Sequence, residues 1–251
     1  MKTRHVQTTG FRAVQVVSAA LAVLGVILLV AGCAGRNGRT AATAPPMASL
    51  DRVPETLAIL PFENNSVTDP ATYEPLSRGL AAMLITDLTN SRTSLKIIER
   101  EKIQAILKEI ALSQSGSVDN ATAVQVGRIL GAQAIAFGSF MVLGPQVRID
   151  LRIIKTETSE TLLGDSVRGK SNAFIELERR LADRIASSLR VALRKYKTAS
   201  SSGIDAALLF SRGLDALDRG DRAEARKLFD QCIAIDPAYE SQVDNLKGLQ
   251  S

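Results

Sequence analysis

The most regular stretch of the chain is QVRIDLRIIK, residues 146–155, where Val147, Ile149, Leu151 and Ile153 alternate with Arg148, Asp150 and Arg152. A period of two sends successive side chains to opposite faces, so this stretch predicts a half-buried strand. AQAIAFGSFMVLG before it and ETLLGDSVRGK after it read as two further strands, joined through turns at Gly144-Pro145 and at TETS. Upstream, residues 56–62 (TLAILPF) form a short apolar run that predicts a buried strand, and residues 95–98 predict another. Helical spacing appears between them. Residues 74–90 carry Leu76, Leu80, Met83, Leu84 and Leu88, and a second helix puts Ile103, Ile106, Leu107 and Ile110 on one face. Asn120 is placed to cap a third helix, with Ala123, Val126, Ile129 and Leu130 as its apolar face and Gly131 as its stop. Residues 172–196 predict a long amphipathic helix with the stripe Phe174, Leu177, Leu181, Ile185, Leu189 and Leu193. The order β-α-β-α-α-β-β-β-α implies an α+β fold, with helices packed on one mixed sheet.

Both ends of the chain depart from this pattern. Lys2, Arg4 and Arg12 precede an apolar run over residues 13–31, interrupted only by Gln15 and Ser18. That is the layout of a secretory leader, although the run is also near the length of a membrane span. Val30-Ala31-Gly32-Cys33 resembles the lipobox of bacterial lipoproteins. The resemblance implies cleavage before Cys33, lipid attachment at Cys33, and a leader over residues 1–32. Ala34 follows, where Asp would favour retention at the inner membrane, so the expected site is the periplasmic face of the outer membrane. Residues 33–54, rich in Gly, Pro, Ala and Thr, read as a flexible tether.

After a linker at residues 197–203 (KTASSSG), residues 204–240 resemble a single tetratricopeptide repeat, with Gly213, Gly220, Ala225, Phe229 and Pro237 at that family's packing, turn and stop positions. Cys232 stands at a small buried position and Arg212 departs from the usual Leu. One helix pair cannot bury its own face. It must dock on the preceding domain, self-associate or meet a partner. Leu209, Gly213 and Phe229 are its candidate partner-binding residues, and a stabilising cap is the competing reading.

Charge and composition narrow the chemistry. The chain carries 31 Lys and Arg against 26 Asp and Glu, and loss of the three leader bases leaves 28 against 26. That near-balance gives no nucleic-acid footprint. The single His, His5, lies in the leader, so the mature chain lacks the imidazole that Ser-His-Asp and Cys-His catalysis and His-ligated zinc require. No catalytic, cofactor or metal residues are assigned. Asp87, Glu99, Glu101 and Glu109 read as solvated charges, and Arg100 as a partner of Glu99 or a helix-start residue. One motif pulls the other way. Residues 164–171, GDSVRGKS, match the phosphate loop G-x-x-x-x-G-K-[ST]. The apolar pattern runs as strand through Gly164, and only helices follow Ser171, so the structural context of an ATPase is missing. Gly169 and Ser171 read instead as a strand-to-helix turn, Ser171 or Asn172 as the helix cap, and Lys170 as a solvated charge.

LAILPFENNS, SRGLAAMLITDL, IIEREKIQAILKEI and GRILGAQAIAFGSF together resemble the CsgG-like family of curli secretion lipoproteins, over about residues 55–196. The resemblance implies a periplasmic domain at residues 55–197, shared in fold with TolB N-terminal-like domains and with lipoprotein activators of penicillin-binding proteins. It implies a non-enzymatic accessory or scaffold in secretion, surface-fibre or envelope assembly, with envelope or secreted proteins as partners and a homo-oligomer as one assembly. A regulator of a peptidoglycan synthase is the alternative, and a secretion pore a lesser one. The family builds its barrel from long inserted hairpins. Here the segment after Ala111 has no room for one, and the strand ending at Leu143 turns straight back at Gly144-Pro145.

Overall fold

The computed structural model describes residues 53–91, 94–111, 120–193, 203–246 and 249. The leader, Cys33, nearly all of the tether and most of the 197–203 linker lie outside the described residues. Six strands build one mixed sheet: β1 (Thr56–Ile59), β2 (Glu63–Asn64), β3 (Lys96–Ile97), β4 (Ala134–Leu143), β5 (Gln146–Lys155) and β6 (Thr161–Lys170). Their order is β3-β1-β4-β5-β6, with β2 also on β4. β1 lies parallel to β3 and β4, whereas β4, β5 and β6 form an antiparallel meander. Eight helices complete the described chain: α1 (Pro70–Tyr73), α2 (Leu76–Thr89), α3 (Arg100–Ala111), α4 (Asn120–Leu130), α5 (Phe174–Ser188), α6 (Ile204–Asp218), α7 (Arg222–Ile235) and α8 (Glu240–Asp244). The fold is α+β, with a helical hairpin, α6–α7, at the C-terminal end.

The period of two in β4 and β5 gives the sheet two apolar faces. On one face Ala134, Ala136, Phe140, Ile149, Leu151 and Ile153 join Leu57 and Ile59 beneath α2 and α5. On the other, Ala58, Leu60, Ile135, Phe137 and Ile154 meet Ile103 of α3 and Ala123 and Val126 of α4. The hairpin belongs to the first core, where Phe210, Leu214 and Phe229 join the same cluster as the sheet residues. It therefore docks on the preceding domain, chiefly through α6 on α2.

Three elements differ from the sequence expectation. The strand expected over 56–62 stops at Ile59. The chain bends through Leu60–Phe62 around Pro61, which has no amide hydrogen for a ladder, and pairing resumes at β2. The helix expected over 74–90 forms as α2, but a short helix that the spacing does not mark precedes it. α1 enters with Pro70 in its first turn, where the missing N–H costs nothing, and α2 follows at Leu76. The helix expected to run to 196 ends at Ser188. Arg190 takes a left-handed φ of 54°, the Val191 N–H donates to Ala186 O at 2.7 Å, and the Arg190 N–H donates to Ser187 O at 3.3 Å. This is a Schellman ending with arginine where glycine is usual.

Candidate functional site

Helices α3 and α4 cover only part of their face of the sheet. Beyond them β4, β5 and β6 present an open trough of about 1020 Å³ lined by Phe137, Ser139, Arg148, Asp150, Arg152 and Ser166. The ladder sets these residues in cross-strand rows, Phe137–Arg152–Gly164 and Ser139–Asp150–Ser166, with Met141–Arg148–Arg168 as the next row. The Arg148 guanidinium grips Asp150 two residues along, with Nε 2.7 Å from Oδ2 and Nη2 2.5 Å from Oδ1. That hydrogen bond, with the nearby carboxylate charge, raises the Arg148 pKa further. On the opposite face Asp165 accepts from Arg184 of α5 and, at 2.7 Å, from the Ser166 N–H. Both bonds hold its carboxyl below the usual range. Arg180 donates to the Arg168 carbonyl at 3.2 Å. Side chains thus meet two backbone groups of β6, the strand that ends the sheet.

The seam between the sheet domain and the hairpin is the second candidate. Gly79 of α2 packs so closely on α6 that a Cβ there would lie 2.7 Å from Ser211 Cβ. Arg78 pairs with Asp215 at 2.8 Å, and Arg100 pairs with Asp218 at 2.7 Å. Arg100 opens α3, one of the two places the sequence offers it, and its guanidinium pairs with Asp218 and Glu101. The seam is a structural joint, since only 11% of the Arg100 side chain is exposed.

Of the candidate partner-binding residues, two lie inside the hairpin. A Cβ at Gly213 would lie 2.8 Å from Phe229 Cδ1, and Phe229 is buried with its ring 5.8 Å from that of Phe210. Their chemistry is packing between α6 and α7. Leu209 is half-buried against the same core. Cys232 is buried, its Sγ donating to Ala206 O at 3.1 Å.

The GDSVRGKS stretch lies in β6, extended and paired with β5 as far as Lys170. An antiparallel strand cannot wrap a phosphate, and Lys170 is exposed. The expected cap at Ser171 or Asn172 does not form. A 3-10 turn over Ser171–Ala173 leads into α5, which carries no side-chain cap bond. Glu99, Glu101 and Glu109 are exposed as expected, whereas Asp87 is buried and accepts from Gln242 Nε2 at 2.7 Å. Beside it lies Glu178 of α5, fully buried and missed by the sequence reading. The signal for it was its place next to Leu177 in the apolar stripe. Among the described residues no group of three or more His, Cys, Asp or Glu could hold a metal ion.

Residues 53–148 match the family model described as curli production assembly/transport component CsgG. No curated protein matches the chain in sequence. Among solved structures the chain is similar to lipoprotein GNA1162 from Neisseria meningitidis, at 17% identity and a TM-score of 0.36, over 54% of this chain and 99% of that one. It is also similar to the LpoB C-terminal domain from Salmonella enterica, at 13% identity and a TM-score of 0.32, over 46% and 82%. A PelC dodecamer from Paraburkholderia phytofirmans gives 13% identity and a TM-score of 0.35, over 55% and 89%. The family match takes in β1 through the start of β5 and ends before β6 and α5. Over residues 53–148, then, the chain carries a CsgG-like region.

Proposed function

We propose that this chain is a non-enzymatic, lipid-anchored accessory protein that scaffolds secretion or surface-fibre assembly from the periplasmic face of the outer membrane. The observation that carries the reading is a CsgG match at residues 53–148, preceded in sequence by an apolar run over residues 13–31 with Cys33 just beyond it. The lipid at Cys33 holds the domain at the bilayer, and residues 34–54 give it reach. The β4–β5 hairpin supports a scaffold over a pore, because its apolar side chains are spent on the domain core. The α6–α7 hairpin acts as a cap on α2.

Two measurements test the reading. Metabolic labelling with an alkyne fatty acid should mark the protein in the outer-membrane fraction, and Cys33→Ser should abolish the label. Persistent labelling of that variant removes the anchor assignment. Light scattering of the lipidated protein in detergent should then give a discrete ring-sized oligomer. A monomer that stimulates a purified peptidoglycan synthase would replace the scaffold with the regulator reading, and conductance in planar bilayers would replace it with a pore.

A further inference from the structure

Four polar side chains from separate elements meet in the interior beneath the C-terminal segment. Asp87 comes from α2, Glu178 from α5, Tyr239 from the 3-10 turn Pro237–Tyr239 and Gln242 from α8, and none is more than 6% exposed. Gln242 Nε2 donates to Asp87 Oδ1 at 2.7 Å. The Glu178 carboxyl lies near enough to that of Asp87 for each to bear on the other's charge. No N–H of the described residues donates to either Glu178 oxygen, and the Tyr239 hydroxyl and Gln242 Oε1 have no partner among them. Two carboxylates are both acceptors and bond only when one carries a proton. A bound dication is the competing occupant, since two buried carboxylates are also ligands for one.

The surroundings set the direction of the equilibrium. Burial first, and then the charge of Asp87, raise Glu178 well above the usual carboxylate range. Arg179 opposes this and Asp183 adds to it, both from α5 itself. From the C-terminal side the titratable neighbours are Tyr239, with Cys232 and Asp236 beyond it.

We infer that Asp87 and Glu178 share one proton and form a pH-operated latch that holds residues 237–244 on α2 and α5. When that proton leaves to solvent, two carboxylates face each other without water, and the segment relieves them by lifting. The closed form binds one proton more than the open form. Closure is therefore fully favoured below the ordinary glutamate range and is lost as pH rises toward the raised value. Lifting α8 also uncovers Ala82, Ile85 and Ile97, which share a cavity of about 260 Å³ with Asn245 and Leu246.

The test is amide hydrogen exchange on the full chain, corrected for intrinsic rates, between pH 5 and pH 8.5. Protection of α8 should fall by more than about threefold, with an upper limit of about tenfold per pH unit. Glu178→Gln should keep α8 protected and abolish the pH dependence. A smaller fall in the wild type, or an unchanged slope in the variant, overturns the latch. Infrared difference spectra of the wild type guard against misfolding of the variant. A band from one protonated carboxyl should disappear in step with the protection, and its absence at pH 6 overturns the shared proton. Restoration of protection at pH 8.5 by millimolar calcium would make the pair a cation site and also overturn the latch.

Discussion

Single atoms decide two of the sharper outcomes. Gly138 sits in β4 where a Cβ would lie 2.9 Å from the Asp150 carbonyl carbon and 3.1 Å from Leu151 Cα, both backbone of the neighbouring strand. Backbone in a paired ladder yields little, so Gly138→Ala should cost about 1–3 kcal/mol of stability by overpacking, read as a lower urea midpoint at unchanged slope. An unchanged midpoint would mean that β4 and β5 separate freely. Cys232 is the second case. Burial first, and then the charge of Asp236, push its thiol up to about 12. A raised thiol pKa leaves the reactive thiolate essentially absent below about pH 10. In the Cys33→Ser chain, where Cys232 is the remaining cysteine, iodoacetamide at pH 8 should leave the native protein unmodified and label it fully in urea. Fast native labelling would show that α6 and α7 part readily.

At the scale of elements, the close seam between α2 and α6 makes a reciprocal prediction. Gly79→Ala puts a methyl group into Ser211, which is itself fully buried and donates to Ala207 O at 2.6 Å. The substitution should lower the melting temperature by a few degrees, about 1–3 kcal/mol. Adding Ser211→Gly should recover part of the loss, giving a coupling energy in a double-mutant cycle that distant sites would not show. The seam was not legible in the sequence, because spacing places Gly79 on a helix without saying what faces it. What was legible is what periodicity encodes: the alternation of β5, the apolar face of α3, and the stop at Gly131, whose φ of 66° favours glycine. The end of α5 was not, since its left-handed residue is Arg190 and carries no glycine signal. The same limit hid the Asp87–Glu178 pair. Spacing marks one carboxyl on α2 and another on α5, and only tertiary packing turns both into the same interior.

At the scale of the molecule, the hairpin looks separable in sequence, beyond a linker and built like an independent repeat, but its core is continuous with that of the sheet. Phe210 and Phe229 lie in one apolar cluster with Leu80 of α2 and Leu151 of β5. Arg78–Asp215 and Arg100–Asp218 tie the same two bodies at the rim. The half-exposed Arg78–Asp215 pair is worth little, and the mostly buried Arg100–Asp218 pair gives back much of its attraction in desolvation, so the apolar contact must supply most of the coupling. A shared core unfolds as one cooperative unit, whereas two cores joined by a linker melt separately. A fluorescent probe on α7 and another on β6 should therefore report the same thermal midpoint, and calorimetry should show one peak whose enthalpy matches the van't Hoff value. Ending the chain after residue 193 should lower that midpoint by at least about 4 °C, since it strips the Gly79 face of α2 and leaves Arg78 and Arg100 without their aspartates. Two resolved transitions, or a truncated chain as stable as the full one, would make the hairpin a free appendage and return it to the role of a partner-binding repeat.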